Sequence, residues 1–357
     1  MAANVGRRRI FRDRFDTVKN MSNLPKIGLD IGSAAIKLVE LAQVSVGKWR
    51  LLSAGSAPVP SGSWIDSPSS QTAVANAIIK LVKEAGVRSK RVVTALPEEQ
   101  ISTHVLEMPV LADSEIEQAL TWQVEQYIPI PLDQAVWSYQ VISKTESGLE
   151  VLLAAASRNL VDGYRRISEL AGLEVVAIET ELMATARAVV PSRITTVIVD
   201  VGAKSTDVGM VSGNQLVFAR TLPTAGEAFT RAIESVLGMD NAQAEQYKTA
   251  YGFAEGFMGG KLYTAMKPVL AIIATEVKKT IDFYVSKHAG ETVKVVTLSG
   301  GAAALPEIVR MLSEMLGLEV TIGDPFSRVE MGEEQKKVLA PAAAFYSVAV
   351  GLSMREG

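Results

Sequence analysis

Cysteine is absent from the 357-residue chain. That excludes disulfides, thiol catalysis, zinc–thiolate sites and cysteine-held iron–sulfur clusters, and it suits a reducing cytoplasm. Histidine is scarce: His104 and His288 are the only two, and neither lies beside a glycine turn, so histidine acid–base chemistry is not expected. Long apolar runs are missing as well. No stretch reaches the ~18 to 20 uninterrupted apolar residues of a membrane-spanning helix. The nearest, 338–352, is interrupted by Pro341, Tyr346 and Ser347 and reads as a buried helix. A net charge of −3 argues against a globally basic nucleic-acid binder. What is present is hydrophobic content of 48%, enough for well-formed cores in roughly two to three domains of about 150 residues.

Charge is nonetheless uneven. Residues 1–20 carry Arg7, Arg8, Arg9, Arg12, Arg14 and Lys19 against Asp13 and Asp16, a local balance of +4. Ile10, Phe11, Phe15 and Val18 can share one helical face above those charges, a pattern that suits peripheral contact with an anionic membrane. The plainer reading is a disordered basic arm over 1–23. No apolar h-region follows, so a secretory signal is not predicted.

From Lys26 the chain reads as two short strands joined at a glycine turn: Ile27-Gly28-Leu29-Asp30-Ile31-Gly32, then Ile36 and Leu38-Val39-Glu40-Leu41. A helix is predicted over 73–85, ending at Gly86, and a strand over 92–96. Ser114 with Glu117 reads as a capping box opening a helix over 114–127, with Ile116, Leu120, Val124 and Tyr127 on one face and Pro129 and Pro131 stopping it. Strands near 136–142 and 150–156 and a helix over 160–171 follow. The second half restarts the first pattern with Val197-Ile198-Val199-Asp200-Val201-Gly202, continuing through strands over 205–211 and 216–220. The Asp-Ile-Gly hairpin thus recurs as Asp-Val-Gly, a faint internal duplication. Helices are predicted over 226–237, 241–251 and 269–286, a strand over 293–298 running into Ser299-Gly300-Gly301, and a helix over 305–316.

A glycine turn that bears an aspartate does two jobs. Backbone N–H groups without a Cβ beside them approach phosphate oxygens, and the carboxylate holds magnesium through water. Asp30 with Gly32 and Ser33 meets this pattern, and Lys37 reaches back from the second strand toward a phosphate. One such hairpin is weak evidence, because glycine turns are common for reasons of φ alone. Two in order, followed by Gly300 and Gly301 at a strand end where open α/β sheets place ligands, are stronger. Gly259-Gly260-Lys261-Leu262 superficially resembles a phosphate-binding P-loop. Glu255 stands at the leading glycine and Leu262 at the metal-binding hydroxyl, so it is set aside.

The three-part order resembles the ATPase superfamily of actin, sugar kinases and heat-shock chaperones. Its first phosphate motif corresponds to Asp30-Ile31-Gly32-Ser33-Ala34-Ala35-Ile36-Lys37, its second to Asp200-Val201-Gly202, and its adenosine motif to Leu298-Ser299-Gly300-Gly301-Ala302. Residues 178–184 are similar to the connecting helix that faces the γ-phosphate, Glu276 and Lys279 to the pair bordering adenosine, and Gly226 with Phe229-Thr230 to the helix start after the second hairpin. Within the superfamily the chain resembles the PilM family of type IV pilus assembly proteins, relatives of FtsA. Met108-Pro109 with the following helix and Ile128-Pro129, the run from Glu276 to Tyr284, and the position of an inserted subdomain carry that likeness.

The resemblance implies an α/β, actin-like ATPase fold: two ribonuclease H-like domains with an inserted small α+β subdomain. The implied boundaries are 24–93 with 174–192 and 341–357 for the first domain, 94–173 for the insert, 193–223 with 298–340 for the second domain, and 224–297 for a helical and β subdomain on it. It implies ATP or ADP with Mg²⁺, Asp30 and Asp200 holding the metal through water, and nucleotide contacts at Gly32, Ser33, Ala34, Lys37, Gly202, Ala203, Lys204, Gly226, Glu276, Lys279, Gly300, Gly301 and Ala302. Active ATPases of this superfamily carry a second acid where Ala203 stands, so weak or no hydrolysis is expected, with Glu179 and Glu181 as candidates to orient a water. The implied partner is the cytoplasmic N-terminal peptide of a PilN-like inner-membrane protein, in a groove beside Leu120, Val124, Tyr127 and Ile128, with other pilus assembly proteins as further candidates. The protein is then a cytoplasmic adaptor at the inner membrane, monomeric or weakly oligomeric. An FtsA-like filament scaffold and a small-molecule kinase remain the alternatives.

Overall fold

The computed structural model describes residues 25–60, 67–191, 194–288 and 290–356. The basic arm expected over 1–23 lies outside the described residues. The first lobe opens with β1 (Lys26–Ile31), β2 (Ala35–Ser45) and β3 (Lys48–Pro58), then α1 (Pro68–Glu84) and β4 (Arg91–Leu96). The chain then departs into β5 (Ile101–Met108), α2 (Asp113–Tyr127), β6 (Ala135–Lys144) and β7 (Leu149–Ser157). It returns through α3 (Arg158–Leu170), β8 (Glu174–Thr180) and α4 (Glu181–Val189). The second lobe contains β9 (Thr196–Val201), β10 (Thr206–Ser212), β11 (Gln215–Leu222), α5 (Gly226–Leu237), α6 (Asn241–Tyr251) and α7 (Lys261–Lys287). These are followed by β12 (Val295–Ser299), α8 (Ile308–Leu316) and β13 (Glu319–Ile322). The chain closes with β14 (Val329–Glu330), α9 (Glu333–Leu339) and α10 (Ser347–Ser353).

The internal duplication suggested by the two Asp-x-Gly turns extends to whole sheets. The first sheet runs β14-β3-β2-β1-β4-β8 and the second β11-β10-β9-β12-β13, so the five strands β3-β2-β1-β4-β8 have counterparts in the same order. In each, the first three strands are antiparallel and the next two join in parallel. The result is the two-lobed α/β architecture expected of the actin-like fold.

The lobes share a middle layer made of α4 and α10. Val39 and Leu41 of the first sheet, Leu182 of α4, Ala349 and Val350 of α10, and Ile198 and Val211 of the second sheet form one buried cluster. Small residues let these elements close up. A Cβ on Gly28 would stand 1.9 Å from Ala349 O, and one on Gly351 would stand 1.8 Å from Ala184 O. Charge reinforces the contact. Glu179 Oε2 accepts from Arg187 Nη2 at 2.7 Å, Arg187 Nη1 also donates to Gly351 O at 2.7 Å, and Arg355 pairs with the same Glu179 carboxylate. Burial alone would push Glu179 up, but the two guanidinium groups hold it below the usual carboxylate value.

Several boundaries differ from those predicted. Helix α3 belongs to the first lobe, not to the insert: Leu160, Val161, Tyr164 and Ile167 pack with Ile27, Leu29, Val74 and Ile78. Between 224 and 294 the described residues form helices and loops without a strand, so the expected β component of that subdomain is absent there. β3, β5, β8, β13 and β14 were not anticipated, residues 178–180 of the expected connecting helix lying in β8, and β14 joins the first sheet through Trp49 and Arg50 although it follows the second lobe in sequence. The segment 338–352 is not one helix, because Pro341 diverts it through a 3₁₀ stretch, Ala340–Tyr346, before α10. Helix α2 starts before Ser114: Ala112 is its N-cap, and Glu115, not Glu117, accepts from the Ala112 N–H at 2.9 Å. None of the helices among the described residues is long and apolar enough to cross a membrane.

Two predictions follow from the middle layer. Gly351→Ala should destabilise the protein by several kcal/mol in denaturant titrations, of the order of overpacked core substitutions (~1 to 3 kcal/mol or more). Gly256→Ala, where an added Cβ meets nothing within 4 Å, should leave the midpoint almost unchanged. Glu179→Ala strands two guanidinium groups and should cost about 3 to 5 kcal/mol. Because the folded Glu179 titrates below its unfolded value, its contribution is full above about pH 4.5 and fades as pH falls through the lower, folded value. A pH series of melting curves on wild type and variant reads this: the gap between them should close only in acid.

Candidate nucleotide site

The two hairpins place their aspartates in the same way. Asp30 is the penultimate residue of β1 and pairs across the hairpin with Lys37, while Asp200 is the penultimate residue of β9 and pairs with Asp207. Each turn is closed alike, Gly32 N–H donating to Ala35 O at 3.1 Å and Gly202 N–H to Ser205 O at 3.0 Å. β12 lies parallel to β9 and brings Ser299 level with Asp200. All three motifs therefore sit at carboxyl ends of parallel strands, where open α/β sheets bind ligands. Gly300 is required by close approach and by φ of +85°: a Cβ there would stand 2.5 Å from Val201 O and 2.7 Å from Asp200 Oδ1.

The second loop is braced by α5. Gly226 N–H donates to Gly202 O at 3.1 Å and Glu227 N–H to Ala203 O at 2.8 Å, so the first N–H groups of the helix support the loop itself. Ser33, Ala34, Lys204 and Gly301 are exposed, and Ala302 is buried beneath the adenosine turn. Phe345, which the sequence did not single out, lies between the motifs. Lys37 Nζ stands 4.7 Å from its ring centroid, and a Cβ on Gly301 would be 3.7 Å from its edge.

Electrostatics set the cleft apart. Lys37 Nζ meets Asp30 Oδ2 at 2.7 Å. Burial would lower the lysine, but Asp30, Asp200 and Glu181 hold it above its ordinary value. Burial pushes Asp200 up against the pull of Lys37, and Asp200 Oδ2 is a buried oxygen without a hydrogen-bond partner among the described residues. Glu181 is driven well above the carboxylate range by burial and by Asp30, Asp207, Asp200 and Glu98. Asp207 rises for the same reasons, burial first and then Glu98, although Thr221 Oγ1 donates to it at 2.6 Å. The floor thus gathers Asp30, Asp200 and Glu181 around one lysine, with Asp207 and Glu98 acting on Glu181.

The second loop itself carries no second acid. Ala203 contributes none, but Asp207 supplies a carboxylate from the adjoining strand. Sequence reasoning missed it although its signal was present, since the seven-residue step from Asp30 to Lys37 leads from Asp200 to Asp207. Glu179 does not face the cleft: its carboxylate is engaged by Arg187 and Arg355, which leaves Glu181 as the connecting-helix acid. Glu276 is buried and pairs with Arg220 at 2.8 Å and Lys279 at 3.4 Å. Three of the four groove residues also point elsewhere. Leu120, Val124 and Ile128 pack inside the inserted subdomain with Leu106, Met108 and Leu153, because the helical spacing that aligns them marks the core face of α2. Only Tyr127 is exposed, its ring 5.8 Å from that of His104.

The residues present fit a magnesium nucleotide. An orphaned buried carboxylate oxygen, glycines where a Cβ would collide, and a carboxylate excess that a cation would offset all point that way. No group of three or more acids among the described residues forms a metal cage of its own. That suits a cation held by one or two carboxylates together with waters and phosphate oxygens.

Comparison with known proteins agrees with this architecture. The fold is shared with the ethanolamine utilization protein EutJ from Carboxydothermus hydrogenoformans (TM-score 0.58, 18% identity, 94% of this chain and 92% of that one). It is also shared with ADP-bound MreB5 of Spiroplasma citri (TM-score 0.52, 12% identity, 92% and 94%). The cell division protein FtsA of Streptococcus pneumoniae is 25% identical over 343 residues, covering 84% of this chain and 75% of FtsA. A chain of the PilM–PilN type IV pilus biogenesis complex superposes with a TM-score of 0.79 at 27% identity, over 93% of this chain and 98% of that one. The model of the family described as type IV pilus assembly protein PilM matches residues 28–357. The chain therefore belongs to the PilM family of type IV pilus assembly proteins, on the actin-like fold.

Proposed function

We propose that the protein is an ATP-binding adaptor of type IV pilus assembly, which holds Mg²⁺ with ATP or ADP between its lobes and grips the N-terminal cytoplasmic peptide of a PilN-like inner-membrane protein. That partner would keep it at the cytoplasmic face of the inner membrane. The observation that carries the nucleotide part is the crowding of Asp30, Asp200 and Glu181 around Lys37 at glycine loops. Mg²⁺ would supply positive charge beside these acids, and the loops would receive the phosphates. Asp30 and Asp200 would hold the cation through water, Lys37 and Lys204 would counter the phosphates, and Gly300 and Gly301 would admit the nucleoside. Slow turnover is favoured because Ala203 leaves the second loop itself without an acid to help position an attacking water.

The partner reading draws support from the PilM–PilN complex, and the geometry supports a link between the two ligands. Glu98 lies in the short turn where β4 hands over to the inserted subdomain, and it is buried. Its Oε1 accepts from Leu182 N–H at 3.0 Å, capping α4 beside Glu181. The insert also touches the second lobe, Gln215 Nε2 of β11 donating to Val141 O of β6 at 3.3 Å. Strand β11 carries Thr221, which bonds Asp207. Movement of the phosphate-facing acids would thus be transmitted to the root and the side of the insert.

Asp30→Ala and Asp200→Ala should each weaken Mg²⁺–ATP binding in calorimetry by about 10- to 100-fold, the loss expected of one strong charged contact. Phosphate release by the intact protein should stay slow. Rapid multiple turnover would oppose the adaptor reading. Glu98→Ala should leave both ligands bound but remove the influence of ATP on affinity for the PilN-like N-terminal peptide. Fluorescence anisotropy with and without Mg²⁺–ATP measures this, and an undiminished influence in the variant would refute the link.

A further inference from the structure

The 3₁₀ stretch Ala340–Tyr346 touches residues of the ligand motifs in both lobes without belonging to either motif. It breaks at Ala342, whose φ of −120° and ψ of 22° are not helical, so the residues beyond it are placed by their contacts and not by a helical ladder. Ala344 is buried, and its carbonyl oxygen accepts from Gly300 N–H at 3.2 Å, Ser299 Oγ at 3.4 Å and Ser347 Oγ at 2.9 Å. Two of those donors belong to the strand end that would admit the nucleoside. The next side chain, Phe345, is thereby fixed relative to that strand end. Its ring is backed by Tyr346, edge to face at 5.2 Å, and Tyr346 in turn meets Phe326 at 6.3 Å, both of them buried.

This buttressed ring carries Lys37. The root of the lysine is set by the pairing of β1 with β2, where it stands opposite Asp30, but a flexible four-carbon stem leaves the direction of its tip open. Two contacts decide that direction: Asp30 Oδ2 at 2.7 Å and the Phe345 ring, whose centroid lies 4.7 Å from Nζ. The lysine side chain is only 16% exposed, a setting in which the attraction of an ammonium to an aromatic face is stronger than in open water. We propose, resting on the reading of the cleft as a nucleotide site, that Phe345 is a positioning residue: it aims the Lys37 ammonium at the phosphates and ties that aim to the strand end holding the nucleoside. Asp30 alone would draw the ammonium back onto its own hairpin. An aromatic face attracts the charge from another side without taking up an N–H donor, so donors remain for phosphate oxygens. Nor does it compete for the cation, as a further carboxylate would.

Displacement of a fluorescent ATP analogue from the full chain by ATP and by AMP, in excess Mg²⁺, tests this. The set is wild type, Phe345→Leu, Phe345→Tyr, Lys37→Ala, and Phe345→Leu combined with Lys37→Ala, with circular dichroism melts confirming that each folds. Phe345→Leu should weaken ATP by about three- to tenfold, as expected for a lost, partly buried cation–π contact, and AMP by less than about twofold. Phe345→Tyr keeps the ring face and should stay within about twofold of wild type. On the Lys37→Ala background, Phe345→Leu should weaken ATP no further, because the two residues then act through one contact. Equal losses for ATP and AMP, or losses that simply add in the double variant, would reduce Phe345 to support of the fold and overturn the proposal. Tighter ATP binding by Phe345→Leu would mean that the ring withholds the lysine, and would overturn it equally. A wild type that binds no ATP would sink the nucleotide reading itself, whereas the other adverse outcomes, with wild-type affinity in hand, sink only the role of Phe345.

Discussion

One ammonium group, Lys37, stands among Asp30, Asp200 and Glu181 at the floor of the interlobe cleft, while Asp207 and Glu98 act on Glu181, and much of the structure is arranged around that imbalance. In the first hairpin the cross-strand partner of the aspartate is a lysine; in the second it is another aspartate. A duplicated fold has thus become electrically asymmetric at the point where its two halves meet. Burial raises the cost of each uncompensated charge, so Asp200, Asp207, Glu181 and Glu98 hold protons more tightly than free carboxylates do. A divalent cation set between these acids and the phosphates offsets both, and unlike a further side chain it can leave again.

The packing explains why the imbalance is tolerated. Helices α4 and α10 form a middle layer whose glycines allow backbone contact, and Glu179 with its two arginines locks that layer without contributing to the cleft. Rigid walls then hold Glu181 where it faces Asp30 and Asp200, and α5 fixes the second loop through two N–H groups. Glu98 extends the same acidic cluster to the root of the inserted subdomain. A change in charge at the floor therefore has a short covalent and hydrogen-bonded path to the surface proposed to meet a partner.

Much of this was legible in the sequence, and the exceptions have physical causes. The Asp-x-Gly turns, the strand ending in Ser299-Gly300-Gly301 and the amphipathic helices follow local rules of φ and periodicity, and the actin-like fold came from the family resemblance that these motifs carry. Asp207 was readable from the hairpin register but was passed over for Ala203, a comparison by position in the loop alone. Leu120 and Val124 were assigned to a groove although their spacing already marked a core face. Phe345 and Glu98 lie where long-range packing decides, one in a stretch bent by Pro341 and the other in a short turn between sheets. β3 was hidden by Gly55 and by its polar alternate positions, and β14 by its two-residue length.

The central claim is that the cleft binds nucleotide because it needs the charge of the accompanying cation. Isothermal titration of the full chain with ATP, in excess Mg²⁺ and again in EDTA, tests it most directly. The account predicts measurable binding with Mg²⁺ and a loss of at least about tenfold without it, since phosphates would then meet the carboxylates unscreened. Equal affinity in the two conditions, or no binding in either, would contradict it.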